Sequence, residues 1–305
     1  LANHWQLGLG LSLVTALMWA LVPIALKGLL TQMDATTITW YRFSVSALIA
    51  MLWYGFRSGP ALKRLLSRRH IILTAIACAG LLGNYLSYVI GLDYITASAA
   101  QMVIQLAPLL LLLGSVILFK ERLSYWQWLG VATFSGGLLL FFHHRLADFR
   151  TLEPRYLIGT GMLVLSAIAW AAYGLAQKKL LRFENSNVIL LLVYISGTLC
   201  YLPLANPSQI MQLNSLQLGL LGFVSLNTIV AYSCFGMAMS CWQASRVSAT
   251  ITLSPVFTLL FVELLSLWKP DYMVTEPLDW LSWLGGLLVV LGSGVAALAK
   301  SRKRP

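Results

Sequence analysis

The stretch GLGLSLVTALMWALVPIALKGLL, residues 8–30, aligns without a gap on GTGMLVLSAIAWAAYGLAQKKLL, residues 159–181. Each is long and apolar enough for a membrane-crossing helix, which needs about 20 residues. The shared positions are more than aliphatic: Gly8/Gly159, Gly10/Gly161, Ala16/Ala167, Trp19/Trp170, Ala25/Ala176 and Lys27/Lys178. The match continues with small shifts. At an offset of 147, Tyr85 meets Tyr232, Ala97 and Ser98 meet Ala244 and Ser245, and Pro108 meets Pro255. At an offset of 155, WLG at 128–130 meets WLG at 283–285. Trp, Pro, Lys and Gly in one order across both halves read as an internal duplication, residues 1–145 and 146–305.

Bulk composition agrees. Of 305 residues, 59% are hydrophobic and 10% charged, and the mean hydropathy is +0.78. Soluble domains are about 25% charged. The expected class is an all-α polytopic membrane protein. Ten spans are expected: 7–30, 35–56, 71–92, 94–119, 123–142, 157–180, 187–205, 216–240, 243–268 and 279–299. A tight turn near Asp93 separates the third from the fourth, and the eighth and ninth meet near Cys241. The opening residues LANHWQ carry neither the charged n-region nor the cleavage site of a signal peptide. No Met opens the chain, so the expectation is that it begins inside a longer one.

The net charge of +11 is an orientation signal rather than a nucleic-acid footprint. Loops after spans 2, 4 and 6 and the C-terminal tail hold 14 Lys and Arg, against five in the opposite loops. That bias expects both termini in the cytoplasm, which an even number of spans allows. Five spans per repeat then make the repeats opposite in topology. Inverted repeats are a recurring transporter architecture with the binding site between the halves.

Several segments carry a family resemblance: TITWYRFSVSALIA, ITASAAQMVIQLAPLLLLLGSVILFKERLS, WLGVATFSGGLLL and QASRVSATITLSPVFTLLF. Together with the ten spans, they resemble the drug/metabolite transporter superfamily, EamA type. The resemblance covers nearly the whole chain and implies secondary transport in a bacterial inner membrane, with little indication of cargo. The family's arginine early in span 2 matches Arg42, and its glutamate after span 4 matches Glu121. The second half departs from both. Val193 stands opposite Arg42, and Glu263 lies five positions earlier than a counterpart of Glu121 would.

Matched polar stripes mark candidate cargo positions. Thr15, Trp19, Pro23 and Lys27 recur every four residues in span 1, as do Ser166, Trp170, Gly174 and Lys178 in span 6. Such spacing holds side chains near one helical face. Trp19 and Trp170 are expected to face a shared cavity from opposite halves, and the two lysines to snorkel at helix ends. Gln101, Gln105 and Pro108 of span 4 align with Ser248, Thr252 and Pro255 of span 9. Pro23, Pro108 and Pro255 are expected helix bends. Asn84, Tyr85 and Tyr88 of span 3 stand beside Asn227, Tyr232 and Phe235 of span 8. An amide and phenols on aromatic surface suit a cargo with an apolar body and a few polar groups.

Charges at membrane depth are few, chiefly Arg42 and Glu263. Two roles fit Arg42: anchoring to helix carbonyls, which the sequence favours, or pairing with a cargo carboxylate. Glu263 is a coupling-proton carrier or, as the sequence favours, a residue near the outer interface. Asp93 is expected to shape its turn. Cys78, Cys200, Cys234 and Cys241 are read as small buried hydrophobes. The glycines of spans 5 and 10 are read as scaffold.

No GxxxxGK[ST] loop occurs, so no ATP motor is expected in this chain. No HExxH motif and no paired intramembrane aspartates occur, and no catalytic residue, metal or cofactor is expected. His143 and His144 are read as solvated. The expected partners are a small-molecule substrate and the lipid bilayer, with no nucleic acid. The oligomeric state, monomer or weak dimer, stays open. The reading is a transporter of a small organic metabolite, with export of amino-acid-like or amphipathic compounds favoured. The alternatives are a polytopic membrane enzyme acting on a lipid or prenyl substrate, or a facilitative channel or structural partner.

Overall fold

The computed structural model describes residues 5–55, 58–119, 124–143, 153–242, 247, 250–269, 272 and 279–299. Among them no strand occurs, and twelve α-helices follow one another. They are α1 Trp5–Leu30, α2 Ala35–Tyr54, α3 Gly59–Leu65, α4 Ile71–Tyr94, α5 Ala97–Val103 and α6 Leu106–Phe119. Then come α7 Tyr125–Phe141, α8 Pro154–Leu180, α9 Ser186–Tyr201, α10 Ser215–Cys241, α11 Ser254–Trp268 and α12 Trp280–Leu298. By length and apolarity, α1, α4, α8 and α10 can each cross a membrane.

Short polar side chains start these helices. Asp34 accepts from Thr37 N at 2.9 Å, and Thr96 from Ala99 N at 3.2 Å. Ser124 with Gln127, and Asn214 with Gln217, form reciprocal capping boxes. The turn after α4 therefore lies at Ile95–Thr96 rather than at Asp93, which is still helical. The basic loop after α2 contains a helix of its own, α3, opened by Pro60 in its first turn.

Buried polar side chains and exposed apolar ones occur together. Thr15, Thr39, Ser46, Asn227 and Thr228 are at most 1% exposed, whereas Trp53, Ile117 and Leu267 are more than three-quarters exposed. The apolar rim suits lipid, and the buried hydroxyls and amides hold helices to one another. Cysteines do not all follow the expectation of burial. Cys200 is exposed, Cys78 and Cys234 are half-buried, and the three are free thiols. The side chain of Cys241 lies outside the described residues.

Helices pair across the midpoint of the chain: α4 with α8, α1 with α10, α2 with α9, and α7 with α12. The pairs are antiparallel, as named contacts show. A Cβ on Gly130 would meet Gly292 O at 2.7 Å, and one on Gly137 would meet Gly285 O at 2.7 Å. As one number rises, its partner's falls. Equivalent contacts recur with the halves exchanged. Ser166 Oγ donates to Asn84 O at 3.0 Å, and its counterpart Thr15 Oγ1 reaches Ala231 O, the counterpart of Asn84 O, at 3.5 Å. Gly159 packs against Ile95, and its counterpart Gly8 packs against Trp242, the counterpart of Ile95.

Span 4 is not one helix. It breaks at Ile104–Gln105 between α5 and α6. The expected bend at Pro108 thus falls one turn earlier, for a direct reason. Proline has no N–H for the carbonyl four residues back. Here Ala107 N takes that carbonyl, Ile104 O, at 2.9 Å in a tighter turn. The second half repeats the break at Thr252–Leu253, just before Pro255, with Leu253 N on Thr250 O at 3.2 Å. Pro23 sits buried inside α1, which runs on without interruption.

Candidate functional site

Arg42, on the second turn of α2, is the centre of the buried polar cluster. It is 5% exposed. Its Nε donates to Thr228 Oγ1 at 3.1 Å, and its guanidinium lies 4.4 Å from the Tyr85 ring centre. Tyr88, Tyr194 and Tyr232 lie within electrostatic range of the same charge. Four helices, α2, α4, α9 and α10, thus supply one cation and four phenols from both halves. Backbone carbonyl anchoring, favoured from sequence, is absent among the described residues, where Thr228 is the hydrogen-bond partner of Arg42.

Both candidate tryptophans reach this cluster. Trp19 packs edge-on to Tyr232 with ring centres 5.6 Å apart, and lies 6.0 Å from Phe235. Trp170 comes within side-chain hydrogen-bond reach of Tyr232. Both tryptophans are half-buried. Tyr85 and Tyr232, equivalent by the repeat, face each other at 6.4 Å.

The glutamine of span 4 links both halves. Gln101 Nε2 donates to Ser254 Oγ at 2.8 Å, and its Oε1 accepts from Tyr88 OH at 3.3 Å. Gln105 and Thr252, both buried, occupy the two matched helix breaks. Pro108 and Pro255 lie in the first turn of the helix after each break. Ser248 lies outside the described residues, as does Glu121.

Other candidates have structural partners. Asn84 Nδ2 donates to Ser166 O at 3.1 Å and Ser166 Oγ at 2.8 Å, tying α4 to α8. Asn227 Nδ2 donates to Met18 O at 2.7 Å, tying α10 to α1. Glu263 is exposed on the outward side of α11, beside Leu264. His143 Nε2 lies 3.2 Å from Asp279 Oδ2, a side-chain contact that differs from the solvated state expected. No group of three metal-ligating side chains occurs among the described residues.

Three cluster members escaped the sequence reading. Thr228 accepts from Arg42 Nε and, through its carbonyl, from Tyr194 OH at 3.4 Å, and Tyr194 lies within electrostatic range of Arg42. Tyr173, 2% exposed, lies close to Tyr85 and Tyr232 and has a hydroxyl with no partner among the described residues. Signals existed for two of them. Tyr173 is one turn beyond Trp170. Tyr194 is the repeat counterpart of Phe43, and the two rings meet at 6.2 Å.

An apolar helical shell around a buried charge-and-phenol cluster shared by two matched halves defines a polytopic membrane protein of transporter type. Comparison with known families makes this specific. The model of the EamA-like transporter family matches twice, at residues 6–143 and 157–298, and the chain belongs to that family. An uncharacterized inner membrane transporter of Escherichia coli strain K12, YhbE, is 39% identical over 296 residues, covering 96% of this chain and 92% of its own. An uncharacterized transporter of Haemophilus influenzae is 37% identical, covering 96% of this chain and 95% of its own. A solved crystal structure shares the fold at a TM-score of 0.65 and 19% identity, covering 95% of each chain. The protein is a multi-pass integral protein of the inner membrane.

Proposed function

We propose that the protein is a secondary active transporter moving a small organic metabolite by alternating access between two inverted five-span halves. The reading takes ten spans, both termini in the cytoplasm, and export of amino-acid-like or amphipathic compounds as the physiological direction. It assigns no catalytic residue.

The observation that carries it is the matched pair of interrupted helices. Span 4 breaks at Ile104–Gln105 and span 9 at Thr252–Leu253, each just before a proline. Discontinuous helices at equivalent places in two repeats are the usual sign of a transport site between them. Antiparallel pairing of α2 with α9 and of α7 with α12 supports the inversion. The bias of 14 to five in Lys and Arg supports the orientation.

The test is flux in proteoliposomes of verified orientation over a panel of metabolites. Saturable uptake of at least one organic compound is the expected result. A panel that yields only non-saturating leak, or a new chemical product in place of relocated substrate, overturns the reading.

A further inference from the structure

The central cluster holds a full positive charge without a matching negative one. The close basic–acidic side-chain contacts among the described residues are Arg64–Glu184 and His143–Asp279, and neither includes Arg42. A guanidinium keeps its proton at any ordinary pH, so Arg42 cannot shed its charge as a buried lysine can. What it has is a tyrosine face at 4.4 Å and one threonine hydroxyl at 3.1 Å. A cation–π contact contributes about 2 kcal/mol when desolvated. The penalty for an unpaired buried ion is several kcal/mol. The difference favours any anion that can reach it. Nε is engaged by Thr228, while Nη1 and Nη2 make no hydrogen bond among the described residues. Two adjacent N–H groups form the fork that receives a carboxylate.

Resting on the transport reading above, we propose that the cargo is an organic monoanion whose carboxylate docks on the terminal nitrogens of Arg42 and whose flat apolar body lies against Trp19, Trp170 and Tyr88. The surroundings fit both parts. Those three residues are half-buried. Tyr88 lies within electrostatic range of Arg42, and both tryptophans reach Tyr232, which does too. The Tyr173 hydroxyl, buried and without a partner among the described residues, is a further donor close to Tyr85 and Tyr232. The repeat breaks its symmetry at this position, since Val193 is the counterpart of Arg42. One cation in an otherwise doubled site fixes which end of the cargo faces which half, and sets one negative charge per molecule.

The test compares three probes with one body and three heads, namely indole-3-acetate, indole-3-acetamide and tryptamine, on the purified wild-type protein. Thermal stabilisation reports binding, and uptake into proteoliposomes reports transport. Indole-3-acetate is expected to stabilise and saturate at least about tenfold more tightly than the amide or the amine. That factor is about 1.4 kcal/mol. Arg42→Gln is expected to lose this preference and Arg42→Lys to keep part of it. Should Arg42→Gln fail to fold, the comparison of heads on wild-type protein still decides. Equal binding of acid, amide and amine, or binding of none of the three, overturns the proposal. So does equal stabilisation by chloride or phosphate, which makes this an inorganic-anion site. Saturable uptake of the amide or amine would sink the anion requirement yet leave the transporter reading standing. Absence of saturable flux for every compound would instead sink the transporter reading.

Discussion

At the scale of single residues, two kinds of polar side chain share the interior and are separable by experiment. Asn84 and Asn227 spend their amide hydrogens on neighbouring helices. Asn84→Ala and Asn227→Ala are each expected to lower unfolding stability by roughly 0.6–1.7 kcal/mol, the range for interhelical hydrogen bonds in membranes. Thermal unfolding in detergent measures this, and cargo affinity should change little. Trp19 and Trp170 are expected to behave the other way. Their loss removes aromatic contacts of about 0.5–1.5 kcal/mol, so Trp19→Ala and Trp170→Ala should each reduce apparent cargo affinity roughly 2- to 10-fold. Membrane expression should persist. Normal kinetics in both variants would return the indoles to a packing role. Sequence marked the indoles because Trp is rare and recurred in register. It did not mark Thr228, because a lone threonine in an apolar span looks like any other until the fold brings Arg42 to it, 186 residues away.

At the scale of elements, the seam between α7 and α12 makes a sharp contrast. A Cβ added at Gly130 or Gly137 would meet α12 backbone at 2.6–2.7 Å, and one added at Gly285 or Gly292 would meet α7 backbone as closely. Gly136 and Gly294 have nothing within 4 Å. Gly137→Ala is expected to destabilise by about 1–3 kcal/mol, as overpacking does. Gly136→Ala and Gly294→Ala are expected to be silent, and yield with melting temperature in detergent distinguishes them. The broken helices give a second element-level expectation. Pro108→Ala restores an N–H to Ile104 O and should extend a continuous helix from α5 into α6. Transport rate should fall several-fold while amide exchange at residues 104–107 slows. Unchanged exchange there would mean that packing, not the proline, sets the break. Sequence placed the prolines but not the breaks, because the missing hydrogen bond is felt four residues earlier and its repair depends on which N–H can turn inward.

At the scale of the whole molecule, the duplication was legible because rare residues kept their order through both halves. The way the halves are fastened was not legible, because it lies in loops of dissimilar sequence. At one end, the loop after α2 meets the loop after α8, with Arg64 Nε on Glu184 Oε1 at 2.6 Å and His70 against Phe183 at 4.4 Å. At the other end, the segment after α9 meets the start of α2, with Asn206 N on Thr37 Oγ1 at 2.8 Å and Tyr41 OH on Pro207 O at 2.9 Å. By the repeat, these are the same two loops with the halves exchanged. Alternating access requires that each fastening open in turn while the other holds. The most direct measurement is therefore flux with one end locked at a time. In a background without native cysteines, the pair Thr37→Cys and Asn206→Cys, or the pair Arg64→Cys and Glu184→Cys, is joined by a reducible thiol cross-linker. The account predicts that either lock alone abolishes saturable transport and that reduction restores it. Undiminished transport with either end locked would contradict it.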